Sequence, residues 1–313
     1  MLEPVPVEEL DLQLIKSRSV KGVASLISGS LLVQLVSTAG FFFLTVYLGR
    51  SDIGLFFAVT EIIGILGYFS DIGLAASLIQ KKDYPNRTDL RTTFTIQQII
   101  VVTLITLVII LSPLIRNFFN LTAEGVTLLF ALLAGFFLAS LKTIPSVLME
   151  RSLKFDKLAL VAVLETVIFY SLAVGMARSG AGVTSYTYAV LGRGVAGTLA
   201  LNLLSPWSVG LAFSTNSLKQ LLKFGVPYQL NTFLAVIKDR FTNLLLFKII
   251  GSDGLGILGW AQTWSQKPLR LIMDNFTKVT FPALSRLQDN VEARKKALEK
   301  SLFFSTSLIF FTN

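Results

Sequence analysis

Long apolar runs alternate with short polar stretches along the whole chain. Gly22 to Leu48 is 27 residues without a charged side chain, and Thr92 to Ile115 is 24. A helix needs about 20 predominantly apolar residues to cross the hydrocarbon core of a bilayer. Both runs therefore predict membrane-spanning helices. Six further runs predict spans over Ile53–Ile79, Gly125–Met149, Leu158–Ala177, Gly182–Leu204, Leu222–Phe247 and Leu255–Leu284, and a ninth begins near Ala297. Runs of this length are not the ~10-residue alternating strands of a membrane barrel, so helices are the expected spanning element.

Composition turns this pattern into a class. Of the 313 residues, 53% are hydrophobic and only 15% are charged, and the mean hydropathy is +0.67. A typical soluble domain carries about 25% charged residues. The expectation is an all-α polytopic membrane protein. The chain has neither Cys nor His. That removes thiol nucleophiles, imidazole bases, disulfides and the commonest transition-metal ligands together. No catalytic residue, metal site or cofactor is expected, and an enzyme is not. Met1 to Val20 is polar and mixed in charge, unlike a cleavable signal peptide.

The net charge of +9 finds its explanation in topology. With the N-terminus inside, the inner segments hold 17 basic residues, clustered as Lys16–Lys21, Lys81–Arg91, Arg151–Lys157, Lys219–Lys223 and Arg286–Lys300. The outer loops hold 4, namely Arg50, Arg116, Arg178 and Lys248. This asymmetry follows the positive-inside rule and places the basic loops against anionic headgroups. Nucleic acid need not be invoked.

An internal repeat is visible at an offset of 202 residues. "GRSDIGLFFAV" from Gly49 resembles "GSDGLGILGWA" from Gly251, and Lys21 and Lys223 share that offset. Asp71 maps to within one residue of Asp274. Six spans separate the copies, so both halves point the same way, as in a parallel repeat about the membrane normal. The expected organisation is an N-terminal six-helix lobe over 1–210 and an incomplete C-terminal lobe over 211–313. A complete second half would need at least three more spans, which predicts a fragment of a chain beyond ~400 residues.

Charges inside the spans are costly in lipid and mark interiors or watery cavities. Seven cations fall there: Lys142, Arg193, Lys238, Arg240, Lys267, Arg270 and Lys278. Lys267, Arg270, Asp274 and Lys278 share one helix face. They form either a self-neutralising ladder or a positively charged cavity lining. Glu61, Gly64, Tyr68 and Asp71 also share one face, and Asp71 either looks into a central space or pairs with a buried cation. Glu165 and Arg193, on consecutive spans at similar depth, either form a structural ion pair or leave Arg193 free to meet a substrate. Lys238 and Arg240 flank Asp239 and cannot share a face. Their counterparts in the first half are Val36 and Thr38, so this charge belongs to one lobe. Pro227 predicts a kink in the same span. Arg240 is the leading candidate for an anionic ligand, because a guanidinium offers paired donors to a phosphate.

Three stretches together, "FSDIGLAASLIQKKD", "LSPWSVGLAFSTNSLKQLLKFGVP" and "TFPALSRLQDN", resemble the bacterial polysaccharide transporter family of O-antigen and exopolysaccharide flippases. That family lies within the multidrug/oligosaccharidyl-lipid/polysaccharide exporter superfamily. The resemblance implies two six-helix bundles around a V-shaped cavity and alternating access. It also implies a polyprenyl-diphosphate-linked oligosaccharide, turned from the inner to the outer leaflet of the cytoplasmic membrane. Arg193, Lys238, Arg240, Lys267 and Arg270 would hold the anionic headgroup. Ion coupling or structural pairing would fall to Asp71, Glu61, Glu165, Asp239 and Asp274. Membrane lipids and a polysaccharide polymerase are the expected partners. The alternatives are a multidrug exporter of the same superfamily, a membrane-embedded transferase, and a non-transporting fragment.

Overall fold

The computed structural model describes the backbone of residues 12–81, 83–152 and 154–286, a few helical residues beyond, and most side chains between residues 28 and 266. Among these residues every regular element is a helix. The elements are α1 (Leu12–Tyr47), α2 (Arg50–Tyr68), α3 (Leu74–Gln80), α4 (Arg87–Phe119), α5 (Ala123–Ser140), α6 (Thr143–Arg151), α7 (Phe155–Arg178), α8 (Thr184–Leu204) and α9 (Thr215–Arg286). Within α9, Gly251 leaves the helical region at φ 71°, ψ −175°. This break falls in the turn expected between the seventh and eighth spans. The helix passes Pro227 without leaving helical backbone angles.

The chain divides into two compact units, Met1–Gly256 and Ile257–Asn313. The second consists, where described, of helical backbone through Arg286 and short helical stretches beyond.

Six stretches among the described residues are long and apolar enough to cross a membrane: Ser28–Tyr47, Arg50–Tyr68, Arg87–Phe119, Ala123–Ser140, Phe155–Arg178 and Val236–Gln266, the last containing the break at Gly251. The protein is thus a polytopic membrane protein. α8 is 21 residues long but less apolar than those six. Its polar residues Ser185, Tyr186 and Thr187 are buried, so α8 turns them inward and needs fewer apolar positions.

Two expected spans are broken. The run Ile53–Ile79 becomes α2 and α3, and the run Gly125–Met149 becomes α5 and α6. In the first, Ile72 and Gly73 adopt positive φ (50° and 75°). Asp71 then accepts the Gly73 and Ala75 amides at 3.1 and 3.0 Å, which caps the new helix. In the second, α6 restarts at Thr143 with Pro145 in its first turn, where a missing N–H costs nothing. The carbonyl of Leu138, at the end of α5, accepts the Thr198 hydroxyl at 2.9 Å. Neighbouring side chains commonly satisfy backbone groups freed by such a break in lipid.

The breaks build the core of one end. Leu74 and Leu78 of α3, Ile144 and Val147 of α6, Leu90 and Phe94 of α4, and Leu221 of α9 form one buried cluster. Arg151 fastens it, donating to the carbonyls of Leu78, Ile79, Lys81 and Asp83. Asn86 and Asp89 close a reciprocal cap at the start of α4, and Asp89 also pairs with Lys81 at 2.6 Å. Deeper along the bundle, α7 packs against α1 and α8, and α5 against α8, α2 and α4.

α2 and the stretch of α9 just past Gly251 meet along a seam of small residues. A Cβ at Gly54 would overlap the Ser252 carbonyl, and a Cβ at Gly256 would overlap the Arg50 carbonyl. Residues 54 and 256, like 50 and 252, are 202 apart, so the contact is reciprocal under the repeat read from the sequence. The Ser51 and Ser252 hydroxyls lie 2.9 Å apart beside it. Small residues that let backbones approach are the usual material of helix contacts in lipid.

Candidate functional site

A cavity of about 580 Å³ opens among α1, α2, α5, α7 and α8, and Arg240 of α9 reaches its wall. Three cations line it: Lys142, Arg193 and Arg240. Between them stand the hydroxyl groups of Ser37, Thr60, Thr166 and Tyr170, and the rings of Phe56, Phe136 and Phe169 form apolar walls. Phe56 is held flat by stacking on Tyr186, with centroids 4.0 Å apart.

Two carboxylates stand behind the cations, each divided between two donors. Glu165 of α7 accepts Lys142 Nζ on Oε1 and lies 3.4 Å from Arg193 Nε on Oε2. Its side chain is 10% exposed against 53% for Arg193. The carboxylate is therefore a buried anchor, and the guanidinium projects into open space. Gly197 makes the geometry available, because a Cβ there would overlap the Glu165 carboxylate. Lys142 occupies the position immediately before α6, where residues 141 and 142 keep right-handed helical angles, and its amine reaches Glu165 of α7.

Glu61 of α2 is the second anchor. Its Oε2 accepts Arg240 Nη1 at 2.6 Å and its Oε1 accepts Asn243 Nδ2 at 2.8 Å. Gly64, one turn along α2, lets the guanidinium lie across the helix, since a Cβ there would sit 2.6 Å from Arg240 Cζ. One turn further, Tyr68 and Gln229 exchange hydrogen bonds, the phenol donating to the Gln229 carbonyl and the amide to the Tyr68 carbonyl. The face Glu61–Gly64–Tyr68 expected from spacing is real, and its partner is α9.

The sequence-derived candidates separate as follows. Arg193 and Arg240 line the cavity, with Glu165 and Glu61 as their anchors. Lys238 and Asp239 pair with each other at 3.2 Å, largely exposed at 74% and 71%, and neither lines the cavity. Asp71 lines neither described cavity, and among the described residues it meets no cation. It is spent on the amides that start α3, because the helix it was expected to continue ends at Tyr68. The side chains of Lys267, Arg270, Asp274 and Lys278 lie outside the described residues. Lys142 is the cavity residue whose role the spacing did not give. Pro145, three residues after it, was the available signal, since proline inside an apolar run commonly opens a new helix. Three cations set against two carboxylates leave the site one positive charge in excess.

Comparison with known proteins places this geometry. The chain is 23% identical over 241 residues to the lipopolysaccharide biosynthesis protein WzxC of Escherichia coli K12, an alignment covering 76% of this chain and 49% of that protein. It thus spans about half the length of that curated relative. Its fold is similar to the inward-facing conformation of a multidrug resistance MATE family transporter of the MOP superfamily. That likeness has a TM-score of 0.60 at 18% identity and covers 90% of this chain and 68% of that one. It is also similar to a MOP superfamily transporter from Pyrococcus furiosus described as having a binding pocket of reverse polarity. There the TM-score is 0.54 at 18% identity, with 95% and 70% of the two chains covered. The polysaccharide biosynthesis protein family matches residues 43–311, and the chain belongs to that family.

Proposed function

We propose that this protein is a flippase that moves a polyprenyl-diphosphate-linked oligosaccharide from the inner to the outer leaflet for surface polysaccharide synthesis. The observation that carries the reading is the cavity with Lys142, Arg193 and Arg240 on its wall and a net positive lining. Diphosphate is a strong acceptor for guanidinium donors, and aromatic walls with interspersed hydroxyl groups suit a sugar. The family match and the likeness to WzxC support the same substrate class. In this reading the N-terminus is inside, the lobes divide near residue 210, and the reciprocal glycine seam follows from a parallel repeat of the two halves. A polysaccharide polymerase would take the exported substrate.

A multidrug exporter is the second reading. The fold likeness to multidrug transporters favours it, and a lipophilic cation would use the phenylalanine rings of the cavity, with Glu61 and Glu165 behind its cations as acceptors. The sign of the lining separates the two. Reconstituted protein should flip a fluorescent polyprenyl-diphosphate oligosaccharide, and Arg193→Ala and Arg240→Ala should each slow it more than tenfold. Transport of a lipophilic dye cation, with no flipping of the glycolipid, would overturn the proposal in favour of the exporter.

A further inference from the structure

Arg240 faces two ways. Its guanidinium lines the cavity, yet Nη1 is committed to Glu61 on the other side. Among the described residues that is the only hydrogen bond it makes. Glu61 itself is not part of the cavity lining and is 14% exposed, whereas the Arg240 side chain is 37% exposed. The carboxylate is thus a buried counter-anion, and the arginine is the part an incoming ligand meets.

The pair also ties α2 to α9. The other described ties along that seam are not ion pairs: the Asn243 amide donating to the second Glu61 oxygen, the reciprocal Tyr68–Gln229 hydrogen bonds, the Gly54–Gly256 approach and the Ser51–Ser252 hydroxyls. A further uncharged contact closes it near Gly73 and Gly225, where a Cβ on Gly225 would sit 2.9 Å from the Gly73 carbonyl oxygen. Among the described residues, one guanidinium therefore serves both as the cation of the seam's ion pair and as a ligand-facing cation of the cavity.

We infer that Glu61 is an intramolecular stand-in for a phosphoryl group. A diphosphate headgroup in the cavity competes with Glu61 for Arg240, and taking it releases the α2–α9 seam. A diphosphate wins this competition because it offers more acceptor oxygens and more negative charge than one carboxylate. It is also met by Lys142 and Arg193 on the same wall. A neutral or cationic ligand has no means of displacing Glu61, so the device makes opening of the seam selective for anions. This inference rests on the anionic-substrate reading above and adds the residue that enforces it.

The absence of cysteine from the chain permits a direct test. Ser51→Cys with Ser252→Cys places two thiols where the hydroxyls are 2.9 Å apart, near disulfide spacing. In the purified full chain, the rate of disulfide formation reads closure of the seam. Calorimetry with inorganic diphosphate at fixed ionic strength reads the site. Diphosphate should slow cross-linking at least fivefold. Glu61→Gln should slow it without ligand and tighten diphosphate binding about tenfold, the scale of one charge-assisted hydrogen bond. Arg240→Ala should abolish both responses to diphosphate. Glu61→Ala serves the same purpose should the glutamine variant fail to fold.

The inference is overturned if diphosphate binds while cross-linking is unchanged, if both Glu61 variants bind no tighter than the parent, or if diphosphate does not bind at all. Failure of the substrate reading looks different. Diphosphate would then still govern the seam, but the polyprenyl-linked oligosaccharide would not be flipped.

Discussion

The Glu165 and Glu61 sites use the same parts differently. Each is a carboxylate with its two oxygens divided between two nitrogen donors behind one cavity. Glu165 is enclosed by α6, α7 and α8, elements that follow one another in the chain, and Gly197 is cut away to seat it. Glu61 joins residues 179 and 182 positions away across a seam made mostly of small or neutral contacts. A buried charge with two fixed partners is costly to disturb. A charge shared across a seam can exchange partners. The first site holds a cation at the cavity wall, and the second holds two helices together until something better arrives.

The largest effect should come from removing the enclosed anchor. Glu165→Leu leaves Lys142 and Arg193 without a counter-ion and should cost about 3–5 kcal/mol, read as a fall of the thermal midpoint in detergent. An equal loss in Glu61→Leu would break the comparison. Gly197→Val comes next. Its side chain must displace the Glu165 carboxylate, and overpacking of this kind costs about 1–3 kcal/mol, with slower glycolipid flipping as a second readout. Asp71→Ala follows, since losing the acceptor for two α3 amides should cost about 1 kcal/mol and leave diphosphate binding unchanged. Lys238→Ala should do least. Although only two residues from Arg240, it should change diphosphate affinity by less than about twofold, because its charge is neutralised by Asp239 outside the cavity wall. A loss as large as that of Arg240→Ala would redraw the site.

How much of this was legible in the sequence depends on whether the relevant helix is continuous. The faces read from spacing hold wherever the 3.6-residue period is uninterrupted. Glu61, Gly64 and Tyr68 do meet one partner, and Glu165 does meet Arg193. The reading fails where a span breaks. Asp71 was extrapolated around a helix that has already ended, and Lys142 was counted in the middle of a span when it stands at a helix start. Hydropathy does not register such breaks, because the residues on either side remain apolar. The signals that do are local: Asp-Ile-Gly in one case, and proline three residues on in the other. Which cation meets which carboxylate was beyond spacing altogether. Arg240 finds Glu61 only because two helices far apart in sequence approach closely, and that approach is set by glycines whose significance appears only in pairs.

Those glycines have a consequence of their own. Residue 54 meets residue 252 as residue 256 meets residue 50, which is the arithmetic of an isologous interface between two copies of one subunit. A patch of this kind is self-complementary, so a separate half-chain carrying it would be able to pair with itself. Under the parallel repeat proposed above, joining the halves in one polypeptide removes the entropic cost of bringing them together. It also frees each side to change alone. Arg240 facing Glu61, where uncharged Thr38 stands 202 residues earlier in the chain, sets an asymmetric ion pair beside a reciprocal contact.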